Sequence, residues 1–151
     1  MNDTIAPKRG DFWFFWPARV RYSEIDAQGV VFNAHYLTYF DTAITDYLRA
    51  LPYPYGLGGD KAAGTDFHLV KSTVEYRAPI RFDQEIEVGV RTGKLGRTSA
   101  MFQLAIFPKG GGELLSTGEI IWVNTNLKAH KSAPLPEAFV AAVRKREAVA
   151  A

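Results

Sequence analysis

The 151-residue chain contains no cysteine. Disulfides, thiolate nucleophiles and cysteine-based zinc sites are therefore excluded. It also lacks any run of about 18 apolar residues, the length a membrane-spanning helix needs. Residues 1–10 lack the apolar core of a signal peptide, so the expected location is the cytoplasm. Neither sign of charge dominates: the formal net charge is +2, and no dense Lys/Arg stripe argues for a nucleic-acid partner. The one short basic cluster, Arg144-Lys-Arg146, suits the C-terminal end of a helix. The three histidines, His35, His68 and His130, are scattered and have no clustered carboxylates, so no metal site is expected. His68 reads as a sheet residue and His130 as a solvated loop residue. Gly110-Gly-Gly112 lacks the Lys-Ser/Thr of a phosphate loop and reads as a hairpin turn. Ser23, Ser72, Ser99, Ser116 and Ser132 all lack the Gly-x-Ser-x-Gly setting of a hydrolase serine.

What the chain does have is apolar and aromatic material, 47% and 13% of residues, enough for the core of one domain. Residues 1–10 read as a loose arm. Residues 11–22 are aromatic and β-branched and read as a strand, with Pro17 marking a bulge or bend. The period then becomes helical. Tyr36, Phe40, Ala43, Ile44, Tyr47 and Leu48 recur at spacings of three and four, with Asn33 as N-cap and Pro52 and Pro54 as the stop. The glycine-rich stretch 56–64 reads as a mobile loop. Period-two alternation follows over 67–78, 85–95, 99–107 and 113–124, and a short helix closes the chain over 136–149. The fold class is α+β: one antiparallel sheet with one long helix on a face. Such a sheet leaves an edge that a second copy can cover, so a homodimer or homotetramer is expected.

Between the first strand and the long helix lies Asp26-Ala-Gln-Gly-Val-Val-Phe-Asn33. A carboxylate sits there on a loop that enters a helix, and Gly29 permits a tight backbone path. The first helical turn has unpaired N–H groups and the positive end of the macrodipole, which can polarise a carbonyl or hold an oxyanion. A nearby carboxylate can activate water or attack directly. Spacing alone, however, favours a helix cap or a surface group for Asp26. Glu24 is the other acid. In a strand it would share a face with Asp26, as a partner that tunes it rather than as the base. For His35 the residues favour a structural or exposed role.

The residue pattern is more specific than the spacing. Tyr22, Glu24, Asp26, Gly29, Val31, Asn33 and Tyr36, followed by Tyr39-Phe40-Asp41, resemble the hallmark of the 4-hydroxybenzoyl-CoA thioesterase branch of the hotdog superfamily. The similarity continues through Tyr76-Arg-Ala-Pro79, Asp83-Gln-Glu-Ile86, Gly96-Arg-Thr-Ser99 and Lys128…Leu135-Pro136, from about Arg19 to Pro136. Where some branches carry His, this chain has Val30 or Asn33.

That resemblance implies a hotdog fold, an antiparallel sheet wrapped around one central helix. It implies acyl-CoA hydrolysis with Asp26 as general base or nucleophile and the backbone N–H at Asn33 polarising the carbonyl. Gly29, Val30, Val31, His35 and Tyr36 become candidate substrate contacts, and Lys94, Arg97, Thr98 and Ser99 candidate contacts for CoA. No metal or organic cofactor is expected beyond the CoA of the substrate. An acyl carrier protein thioesterase and a non-catalytic acyl-CoA-binding protein are the alternatives.

Overall fold

A computed structural model describes residues 5–53, 55–56 and 59–149. Its strands are β1 (Phe14–Arg19), β2 (Thr65–Tyr76), β3 (Glu85–Leu95), β4 (Ser99–Pro108), β5 (Ser116–Asn126) and the short β6 (Lys131–Ser132). Helix α1 (His35–Ala50) follows β1, and α2 (Glu137–Arg146) ends the described chain. The sheet has strand order β1-β3-β4-β5-β2, all pairs antiparallel, with β6 added to β5. The sheet curls around α1, which is the hotdog arrangement.

The periodicity explains the packing. Seven side chains of α1 are buried: Tyr36, Tyr39, Phe40, Ala43, Ile44, Tyr47 and Leu48. They meet Ile86, Val88 and Val90 of β3, Phe102, Leu104 and Ile106 of β4, and Ile120 of β5, all buried in one cluster. Alternation along the strands sends these residues to the helix side. Gly118 in β5 lies beneath the Phe40 ring, where any Cβ would overlap ring atoms. On the other face Phe12, Ala105 and Phe107 form a small second cluster. There the Arg9 guanidinium lies 4.5 Å from the Phe15 ring centre and pairs with Glu87 at 2.6 Å. The arm is thus tied down near its end, while residues 1–4 lie outside the described residues.

The C-terminus is anchored as well. Glu147 accepts hydrogen bonds from the Trp13 indole N–H (2.9 Å), the Tyr47 hydroxyl (2.8 Å) and the Thr92 backbone N–H (2.5 Å). Thr92 stands where β3 shifts register against β4.

Several expectations change. Pro17 makes no bulge: it pairs in register with Glu87, because β1 is an edge strand and needs no N–H at that position. The first strand is shorter than 11–22, with 3-10 turns at Arg9–Asp11 and Tyr22–Glu24 flanking it. The last long strand begins at Ser116 rather than at residue 113. Asn33 is not the N-cap; Ala34 holds that position, in helical conformation and without a side-chain cap. The expected loop at 56–64 falls partly outside the described residues, as do Pro54 and positions 57 and 58. The glycine turn is where expected: Gly111 N–H donates to the Pro108 carbonyl (2.9 Å), and Gly110 has φ of 68°.

Gly118→Ala is expected to destabilise the fold, since forcing a methyl into a filled core costs about 1–3 kcal/mol. For a chain of this size that is a drop of roughly 3–10 °C in Tm. An unchanged thermal melt would show that α1 is free to ride away from the sheet.

Candidate active site

The chain leaves β1 at Arg19 and makes the 3-10 turn at Tyr22–Glu24 before reaching Asp26. There it doubles back. Asp26 N–H donates to the Val30 carbonyl (2.9 Å), Gly29 N–H donates to the Asp26 carbonyl (3.0 Å), and Ile25 bridges Val31. Gly29 has φ of +77°, and no atom lies within 4 Å of where its Cβ would stand. Glycine is needed there for its left-handed backbone, not for space. The second arm docks sideways: Val31 N–H donates to the Ile80 carbonyl (2.8 Å), Phe82 N–H donates to the Gly29 carbonyl (3.1 Å), and Val30 bridges Arg81.

The Asp26 carboxylate is half-exposed at the tip of this hairpin. Its Oδ1 accepts the Gln28 N–H at 2.8 Å and lies 3.5 Å from the Val30 nitrogen. Its Oδ2 has no hydrogen-bond partner among the described residues. One oxygen is thus held by the turn and the other left open for chemistry. Asp26 thus makes an Asx turn rather than the helix cap that spacing alone allowed, and the turn leaves half of the carboxylate unused.

Helix α1 starts at the end of the second arm. His35 N–H donates to the Phe32 carbonyl (2.9 Å) and Tyr36 N–H to the Asn33 carbonyl (3.3 Å). The Asn33 carbonyl also accepts the Tyr76 hydroxyl at 3.3 Å. The N–H groups of Asn33 and of the N-cap Ala34, just ahead of the helix, have no acceptor among the described residues. Asn33 is thus engaged through its main-chain carbonyl. Tyr76, which sequence reading passed over except within Tyr76-Arg-Ala-Pro79, holds this junction and packs edge-on against Tyr36, ring centres 4.8 Å apart.

Glu24 is not in a strand and does not share a face with Asp26. It ends a 3-10 turn and is buried, 5% exposed. Its Oε1 accepts the Tyr39 hydroxyl (2.9 Å) and the Arg21 N–H (2.8 Å); its Oε2 accepts the Arg21 guanidinium (2.8 Å). Burial pushes its pKa up, but the hydrogen bonds from Arg21 and Tyr39 outweigh burial and hold it below the usual glutamate range.

The remaining candidates divide by location. Gly29, Val30, Val31, His35 and Tyr36 line the hairpin and helix start. His35 is the first residue of α1, half-buried, with its ring 6.0 Å from that of Phe32. Lys94, Arg97, Thr98 and Ser99 lie at the β3–β4 turn, at the far end of β3 from the strand start that neighbours the hairpin. An 11-residue strand spans on the order of 30 Å, so one chain does not bring them to Asp26. His68 is exposed in β2, paired with Val123, and His130 is exposed in a turn with φ of 53°. Among the described residues no group of three or more His, Cys, Asp or Glu is placed to hold a metal ion. No described helix is long and apolar enough to cross a membrane.

A carboxylate with one open oxygen, close in sequence to unpaired N–H groups at a helix start, is the equipment of acyl transfer. The model of the thioesterase-like superfamily matches residues 20–143, which takes in this hairpin, the helix and the whole sheet beyond β1. An acyl-CoA thioester hydrolase (YbgC) of Escherichia coli is 33% identical over 128 residues, covering 85% of this chain and 93% of that protein. The chain belongs to the thioesterase-like superfamily. Among solved structures, the PA5185 protein of Pseudomonas aeruginosa superposes with a TM-score of 0.83 at 29% identity, over 94% of this chain and 96% of that one. A 1,4-dihydroxy-2-naphthoyl-CoA thioesterase from Synechocystis shares the fold, with a TM-score of 0.81 at 19% identity over 88% and 96% of the two chains.

A lowered Glu24 pKa stabilises the fold at pH values above the unfolded pKa of about 4.3. That contribution disappears as pH falls through the lower folded value. The Tm gap between the native chain and Glu24→Gln is therefore expected to be full near pH 7 and to shrink below about pH 4. A gap that stays constant down to pH 3 would mean that the charge of Glu24 contributes nothing.

Proposed function

We propose that this chain is an acyl-CoA thioesterase, converting acyl-CoA and water to a carboxylic acid and CoA. The observation that carries the reading is the hairpin, which ends in a carboxylate with one free oxygen and leads directly into unpaired helix-start N–H groups. The relative named as an acyl-CoA thioester hydrolase, 33% identical across most of both chains, supports the same reaction. The thioester carbonyl oxygen accepts the Asn33 N–H, which stabilises the charge that grows as the carbon becomes tetrahedral. Asp26 acts through its open oxygen in one of two ways. As a general base it takes a proton from water, hydroxide adds to the carbonyl carbon, the C–S bond breaks and the CoA sulfur takes up the proton. As a nucleophile it forms a mixed anhydride with loss of CoA thiolate, and water then hydrolyses the anhydride. Neither route calls for a metal or an organic cofactor.

The working unit is a homodimer built on β2. That strand is an edge of the sheet, and Leu69, Val70 and Tyr76 on it are 55%, 58% and 54% exposed. Bare backbone and exposed apolar side chains suit pairing with a second copy. The geometry supports it further. The Tyr76 end of β2 touches Asn33, while His68 near its other end lies level with Ser99, both opposite Val123. Antiparallel pairing of two β2 strands sets the Asn33 end of one subunit beside the Ser99 end of the other. The hairpin bearing Lys94, Arg97, Thr98 and Ser99 then serves the CoA of the neighbouring site.

Asp26→Asn is expected to lower turnover by about 10²–10⁴-fold while leaving circular dichroism and melting nearly unchanged. The substrates are short, long and aromatic acyl-CoAs tested side by side. Undiminished hydrolysis by the variant would remove Asp26 from the mechanism. In light scattering, the native chain is expected at twice its 16.8 kDa mass. Val70→Asp is expected to yield monomers with little activity, and a monomer with full activity would contradict the shared site.

A further inference from the structure

We propose that Glu24, acting through Tyr39, is the positioning residue that holds the Asp26 turn and the Asn33 helix start in fixed relation. The proposal rests on the thioesterase reading and adds to it a group that touches no substrate. Asp26 and Asn33 belong to different local structures, the tip of a hairpin and the entry of a helix. Catalysis needs their relative placement to hold, because misplacing reacting groups by about 1 Å can cost 10²-fold in rate. Something must brace the two together.

Glu24 is bonded to the chain on either side of them, at the hairpin neck and inside α1. Its backbone carbonyl accepts the Phe32 N–H at 2.9 Å, which closes the neck of the hairpin. Its carboxylate accepts the Tyr39 hydroxyl at 2.9 Å, from one turn inside α1. The same carboxylate takes the Arg21 N–H and guanidinium, which fixes the turn leading into the hairpin. A single side chain therefore links the entry turn and the helix, and its own main chain ties the hairpin neck between them. Tyr39 is held at its other end as well: it is 3% exposed and its ring lies 6.2 Å from that of Trp16 in β1. Burying a carboxylate is costly unless its oxygens are satisfied, and here each has at least two donors. A merely stabilising contact would need no charge at this point, since an apolar pair would fill the space more cheaply. What a charged, multiply bonded anchor supplies is a defined geometry.

The test uses the full-length protein and whichever of acetyl-, octanoyl-, palmitoyl- and benzoyl-CoA the native enzyme hydrolyses fastest. Tyr39→Phe removes one hydroxyl, and Glu24→Gln removes the charge at constant size. Each is assayed well below its own melting temperature. The expected result is a roughly tenfold loss of kcat in Tyr39→Phe, with KM changed less than about threefold. Glu24→Gln falls at least as far, and the double variant falls no further than Glu24→Gln alone, because both act on one contact. In an Asp26→Asn background Tyr39→Phe is expected to cost nothing more. Folded variants with native kcat, or losses that multiply undiminished in the Asp26→Asn background, would overturn the proposal and leave a structural contact only. If Glu24→Gln does not fold, Tyr39→Phe alone decides. The two failures stay distinct: a native enzyme inactive on every acyl-CoA sinks the thioesterase reading, and this proposal with it. An active native enzyme that is indifferent to Tyr39→Phe sinks only the positioning role.

Discussion

Helix α1 can bury its seven inward side chains only against the concave face of one sheet, and most of the remaining structure follows from that constraint. The sheet must curl to receive the helix, and β5 must give up a side chain at Gly118 so that the Phe40 ring can sit down on it. Tyr47, near the other end of the stripe, is fully buried and so needs partners for its hydroxyl. Thr92 and Glu147 provide them, which draws the C-terminal segment over that end of the helix. The opposite end is left as a helix start with unsatisfied N–H groups. A buried helix thus leaves an uncapped terminus beside the hairpin that carries Asp26.

The functional elements are arranged at this open end by short-range hydrogen bonds rather than by the core. The turn at Asp26–Gly29 satisfies its own backbone and one carboxylate oxygen, which leaves the second oxygen available. Ala34 at the N-cap has no side-chain acceptor to fold back over the helix, so that end of α1 stays uncapped. In this chain an absent cap and a half-used carboxylate are two parts of one arrangement. At the edge of the sheet, Tyr76 of β2 holds Asn33, while Leu69 and Val70 of the same strand are exposed.

Much of this was legible in the residues. The three-four spacing from Tyr36 to Leu48 located α1, and period-two alternation located four long strands, because both patterns record which side faces the core. The motif, and not the spacing, singled out Asp26 and Asn33 as candidates, since an acid ahead of a helix is ordinarily a cap. Three things were hidden for physical reasons. Asn33 looked like a cap because its side chain suits one, whereas its backbone is what the structure engages. Glu24 looked like a strand neighbour of Asp26, because a 3-10 turn of three residues leaves no periodic trace. The distance of the candidate CoA contacts Lys94, Arg97, Thr98 and Ser99 from Asp26 was hidden too, because strand direction, which only topology reveals, places them at the far end of β3.

The central claim is that the Asp26 turn and the Asn33 helix start grip one thioester carbonyl from two sides. The most direct measurement is a crystal structure of Asp26→Asn with a slowly hydrolysed acyl-CoA bound. The expected result is a carbonyl oxygen within hydrogen-bond distance of the Asn33 N–H and a carbonyl carbon facing the side chain at position 26. A thioester bound with its carbonyl turned away from Asn33, or held at another end of the sheet, would contradict it.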